Sequence, residues 1–95
     1  MKLIGVEKLT QFGKKHATAR SPLANWRQVV EAVGWTNPAD MKMTFRTADV
    51  VGSQTVFNIG GNKYRLIALV NYRLRTVLVQ HVLTHAEYDK EDWKQ

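Results

Sequence analysis

The chain has 95 residues, room for one domain with a modest core that buries about 60–65% of the unfolded surface. A content of 44% hydrophobic and 23% charged residues excludes a disordered chain, and the lack of cysteine excludes disulfide frameworks and thiolate metal sites. The formal charge of +6, with a pI near 9.9, points toward polyanions such as RNA and DNA.

The opening "MKLIG" reads as a first strand. Over residues 6–16 the apolar positions Val6, Leu9 and Phe12 recur at helical spacing with lysines between them, which predicts an amphipathic helix. "SPLANW" predicts the next start, with Ser21 as N-cap and Pro22 at the first helical position. A helix over 22–33 follows, with Trp26, Val29, Val30 and Val33 as its buried stripe and Gly34 as its end. "TNPAD" repeats the device: Asn37 caps, Pro38 starts, and a short helix runs to about Phe45.

After Asp49 the pattern changes. "TVFNI", "YRLIALVNY" and "TVLVQHVL" are β-branched and aromatic runs separated by "GGNK" and "RLR", which predicts antiparallel strands in a meander. "THAE" then spaces Thr84 and Glu87 as a capping box and places His85 in the first turn of a closing helix, with Tyr88 on the same face. The class is therefore α+β: one domain over residues 1–95, an antiparallel β-sheet with N-terminal helices packed on it and a short C-terminal helix.

The charge is unevenly spread. Residues 86–95 hold two Lys/Arg and four Asp/Glu, which leaves 12 basic and 4 acidic residues, a net of +8, over residues 1–85. No stretch approaches the roughly 20 apolar residues of a membrane span, and no secretory leader is visible, so the expected location is cytoplasmic.

Candidate chemistry gathers on the central strand and the last helix. His85 can serve as general acid or base near neutral pH, and it can equally be a hydrogen-bonded surface residue where a strand ends. By period-two alternation Arg65, Ile67, Leu69, Asn71 and Arg73 share one face, and Tyr64, Leu66, Ala68, Val70 and Tyr72 the other. Arg65 suits a bidentate phosphate contact, and also a cross-strand ion pair or a solvated edge. His81 alternates with Val79 and Val77, which predicts a half-buried residue on their face. A zinc site from His81 and His85 lacks a third ligand. "NIGGNK" has neither the pattern nor the following helix of a phosphate loop and reads as a hairpin turn, and "SPLANW" is no hydrolase elbow.

With "NPADMK", "VFNIGGNKYRLIALVNY" and "THAEYDK" in order, the chain resembles the HigB toxins of bacterial type II toxin–antitoxin pairs, a branch of the RelE-like superfamily. The resemblance spans nearly the whole chain and is most specific over residues 56–90. It implies an mRNA endoribonuclease that works on the ribosome without metal or other cofactor, by attack of a ribose 2′-OH on the adjacent phosphate. Carried over position by position, Arg65 clamps the phosphate, His85 moves a proton, and Tyr88 donates a second proton or stacks on a base. Lys63, Arg73 and Arg75 are the auxiliary RNA-binding cations.

The resemblance further implies a cognate HigA-like helix-turn-helix antitoxin, and operator DNA bound through that antitoxin. The antitoxin is expected on the helices of residues 6–33, away from His85, with direct occlusion of the site by an antitoxin segment as the alternative. The alternative function is a catalytically weak basic RNA/DNA-binding module that acts mainly in an autoregulatory repressor complex.

Overall fold

The computed structural model describes residues 1–94. In chain order it contains β1 (Lys2–Ile4), α1 (Val6–Lys15), a 3₁₀ turn (Ala17–Ala19), α2 (Arg20–Ala32), α3 (Pro38–Thr44), β2 (Asp49–Val51), β3 (Gln54–Ile59), β4 (Tyr64–Asn71), β5 (Thr76–Thr84) and α4 (His85–Asp89). The strands form one sheet in the order β1-β5-β4-β3-β2. From β2 to β5 every pairing is antiparallel, and β1 adds itself in parallel to the start of β5.

The amphipathic pattern of α1 and α2 decides which sheet face they cover. Leu9, Phe12, Leu23, Trp26 and Val30 are buried against Phe57, Ile59, Leu66, Ala68, Val77 and Val79. The centre of this core is aromatic: Phe57 meets Trp26 at 5.3 Å and Phe45 at 5.3 Å between ring centroids, both edge to face, the arrangement that aromatic quadrupoles favour. The opposite face carries a smaller cluster of Val56, Ile67 and Trp93, with Val51, Leu83 and Tyr88 packed beside it. The two sets of β4 side chains thus separate as alternation predicts.

Local expectations at α2 and β5 are corrected, and β2 is added to the expected strands. Ser21 is not an N-cap: α2 begins at Arg20, with Ala19 at the cap position and no side-chain cap bond. The 3₁₀ turn already delivers the chain in near-helical conformation, with Ala19 N–H bonded to the His16 carbonyl at 2.9 Å, so no side-chain oxygen is needed to start it. Pro22 falls in the first turn, where a missing N–H costs nothing. The helix also ends at Ala32, with Val33 extended, two residues before Gly34. Asn37, by contrast, does cap α3, accepting from Asp40 N–H at 2.9 Å.

β2 is not among the expected strands. Its three residues pair with Gln54, Thr55 and Val56 in a hairpin, but an edge strand this short, with Val50 exposed, shows no alternation to read.

The correction at β5 is that it carries a bulge. Ile67 faces His81 but the next residue, Ala68, faces Val79, so Gln80 is the extra residue. The slip turns everything beyond it over: His81 leaves the face of Val77 and Val79, joins that of Ile67 and is exposed, while Val82 takes the helix side. The carbonyl freed by the bulge accepts from Lys8 Nζ at 2.8 Å, and the Gln80 side chain accepts from the buried Gln54 at 2.8 Å.

Gly5 joins β1 to α1 with φ 88°, and a Cβ there would lie 2.9 Å from the Val79 carbonyl oxygen. Both the left-handed backbone and the close approach require glycine. Gly5→Ala is expected to destabilise the domain by about 1–2 kcal/mol, read as a lower denaturant midpoint at unchanged slope; an unchanged midpoint would show that the junction relaxes freely.

Candidate active site

The antiparallel register puts the start of β4 beside the end of β5, with Tyr64 opposite Thr84 and Arg65 opposite Leu83. Chain direction therefore brings the first arginine of the central strand to the start of α4. There Thr84 Oγ1 accepts from Glu87 N–H at 3.3 Å and the Glu87 carboxylate accepts from Thr84 N–H at 2.9 Å, the reciprocal bonds of a capping box. That Thr84 N–H holds the Glu87 carboxyl below the usual carboxylate range.

Arg65 is half-buried on the face away from α1 and α2. Its Nη1 donates to the carbonyls of Asn62 at 3.2 Å and Tyr64 at 3.1 Å, and its guanidinium carbon lies 5.3 Å from the centroid of the Tyr88 ring. Among the described residues it forms no ion pair, so the cross-strand partner considered for it is absent. A guanidinium fixed by carbonyls and an aromatic ring keeps its full charge, with donors to spare for an anion.

His85 sits 6.4 Å from Tyr88 between ring centroids, edge to face. Its Nδ1 lies 3.1 Å from Asp89 Oδ2. An ionised carboxylate only accepts, so whenever the ring is neutral its hydrogen sits on Nδ1 and its lone pair on Nε2. Both side chains are about half exposed, so this pair adds little stability. Its effect is to choose the tautomer.

Arg65, Tyr88 and His85 are thus brought together at one end of the sheet, with Lys63 exposed in the adjoining β3–β4 turn. Arg73 and Arg75 are not. They lie in the β4–β5 turn, separated from Arg65 by the length of β4, about 20 Å. Arg75 lies against the segment that follows α2, its Nη1 only 3.1 Å from where a Cβ on Gly34 would stand.

Sequence reading missed Asp89 and Trp93 near this cluster and put His81 on the wrong face. Asp89 was detectable, because i,i+4 pairs share a helix face. His81 was hidden by the bulge; diagonal neighbours on one sheet face, as His81 and Arg65 are, stand roughly 7–8 Å apart. Desolvation, and then the Lys8 ammonium, push the His81 imidazole below its ordinary value. Trp93 gave no signal, since it lies beyond the last periodic element.

With this geometry in place, the relatives are informative. The HigB toxin family, described as the RelE-like toxic component of a toxin–antitoxin system, matches residues 19–91. The chain is 27% identical over 93 residues to the mRNA interferase HigB of Escherichia coli O6:H1 strain CFT073, covering 95% of this chain and 90% of that one. It is 27% identical over 92 residues to the mRNA interferase toxin HigB of Escherichia coli K12 and to the mRNA interferase HigB of Shigella flexneri, covering 94% of this chain and 88% of each relative. Arg65, Tyr88 and His85 all fall within the matched span, and the chain belongs to the HigB family of RelE-like toxins from toxin–antitoxin systems.

Proposed function

We propose that this toxin is an endoribonuclease that cuts mRNA on the ribosome, in the cytoplasm, with Arg65, His85 and Tyr88 at the reacting phosphate. The observation that carries the reading is the convergence of a half-buried guanidinium, an aromatic ring at 5.3 Å and a histidine whose Nδ1 lies 3.1 Å from the Asp89 carboxylate. The substrate class rests on the relatives that bear the name mRNA interferase.

In the proposed reaction the ribose 2′-OH attacks the adjacent phosphorus, the P–O5′ bond breaks, and a 2′,3′-cyclic phosphate forms. His85 Nε2 takes the 2′ proton. Arg65 balances the negative charge that builds on the non-bridging oxygens. The departing O5′ takes a proton from the Tyr88 hydroxyl or, where Tyr88 stacks on a neighbouring base, from water. Lys63 extends the cationic surface for the strand; Arg73 and Arg75, at the other end of β4, suit a more distant stretch of nucleic acid. Induction without an antitoxin should stop growth, and primer extension should find new 5′ ends in translated messages only. Normal growth with intact messages would favour the alternative, a basic binding module acting in a repressor complex.

The partner reading rests on a different surface, the helical side of the sheet. Between α1 and α2 runs a groove of about 380 Å³ floored by Val6, Leu9, Leu23 and Ala24 and edged by Lys14, Arg20 and Arg27. An apolar floor supplies lasting affinity and a basic rim hastens encounter with an acidic segment. The reading places a HigA-like antitoxin, itself the operator-binding subunit, on this groove, where it excludes the toxin from the ribosome without touching His85. Ala24→Glu, a like charge set into the groove, is expected to weaken antitoxin binding about tenfold or more while mRNA cleavage persists. Antitoxin side chains bonded to Arg65 or His85, with α1 and α2 bare, would overturn this placement.

A further inference from the structure

Tyr88 sits on a helix of only five residues. So short a helix has little stability of its own, and something else must hold the ring in place. Beyond it the chain turns back through Glu91, whose φ of 61° is a left-handed conformation uncommon outside glycine. The Glu91 N–H donates to the Tyr88 carbonyl at 3.1 Å, and the Trp93 indole Nε1 donates to the same carbonyl at 2.9 Å.

The Trp93 ring lies on the Tyr88 ring, 5.0 Å between centroids and 11° from parallel, and the residue is only 4% exposed. Its carbonyl accepts from Gln54 Nε2 at 3.0 Å. Gln54 is 2% exposed, and its second bond, at 2.8 Å, goes to the bulge residue Gln80. A buried amide with both N–H donors bonded is costly to disturb, so the anchor is stiff. Starting from the sheet, the contacts run Gln80, Gln54, Trp93, Tyr88, Arg65.

We infer that Trp93 is a positioning residue of the ribonuclease site: anchored through its carbonyl to Gln54, it stacks on Tyr88 and fixes that ring beside the Arg65 guanidinium. The inference rests on the role proposed for Tyr88. Trp93 itself is buried behind the ring and acts only through it.

The test combines structure and rate in the purified toxin with programmed ribosomes. Trp93→Ala should shift the Tyr88 ring resonances in NMR spectra and lower the saturated cleavage rate about 10–10²-fold. The half-saturating concentration of ribosome–message complex should stay within about twofold, since binding is not what the clamp supplies. Trp93→Phe keeps a stacking ring, loses the Nε1 donor and should recover most of the rate, which separates positioning from collapse of the fold. Trp93→Ala combined with Tyr88→Ala should be no slower than Tyr88→Ala alone. A wild-type rate in Trp93→Ala beside a slow Tyr88→Ala overturns the clamp alone, as does a full additional loss in the double variant. A wild-type rate in Tyr88→Ala removes Tyr88 from the reaction, and this inference with it.

Discussion

His85→Ala should lower cleavage of a translated message by about 10²–10⁴-fold, the usual worth of a positioned general acid or base. The histidine is exposed, and its recorded contacts are the Tyr88 ring and the Asp89 carboxylate. Truncating it removes almost no buried surface, and surface changes of this kind usually move stability by no more than about 0.5 kcal/mol. Activity should therefore fall without a matching fall in the thermal midpoint. Asp89→Asn should give a smaller loss, because it frees the tautomer without deleting the ring. Primer extension at the wild-type rate in His85→Ala would make the residue a surface group at a strand end.

Arg65→Ala is expected to cost about 10²–10³-fold, the range seen when a fixed donor to developing negative charge is lost. Lys63→Ala should cost much less. Arg65 is bound to two backbone carbonyls and an aromatic ring, so its charge is already in position when the phosphate arrives, whereas Lys63 is an exposed side chain in a turn. Arg65→Lys should not restore the rate, because an ammonium neither bridges two oxygens nor spreads over the tyrosine ring. Equal losses at positions 63 and 65, or a larger one at 63, would put the phosphate on the turn and away from the strand.

Both predictions concern residues picked out from local patterns, and that choice has a physical basis. A strand turns its side chains to alternate faces, so "YRLIALVNY" by itself separates Arg65 and Ile67 from Tyr64, Leu66 and Ala68. A capping box is complete within four residues, so "THAE" by itself places His85 at the start of a helix. Asn37 and Pro38 likewise start α3 from one tetrapeptide. Short-range chemistry determined these features, and the α+β class with them.

Other features depend on residues far apart in the chain. The bulge at Gln80 exists only in relation to β4: it is one residue more on β5 than on its partner. Alternation along β5 alone therefore assigns His81 to the wrong face. Arg73 and Arg75 look like companions of Arg65 in a list of cations, yet β4 carries them to the far end of the sheet, a separation set by strand rise and not by charge. Trp93 lies 28 positions after Arg65, outside any periodic segment, and takes its place because Gln54, 39 residues earlier, holds its carbonyl. Local backbone preferences and side-chain spacing are written in consecutive residues, and the sequence by itself determined the longer helices and strands, the faces of β4 and the cap at His85. Register, bulge and tail docking come from one buried surface closing on another, and only the tertiary structure decided which side chains meet Tyr88.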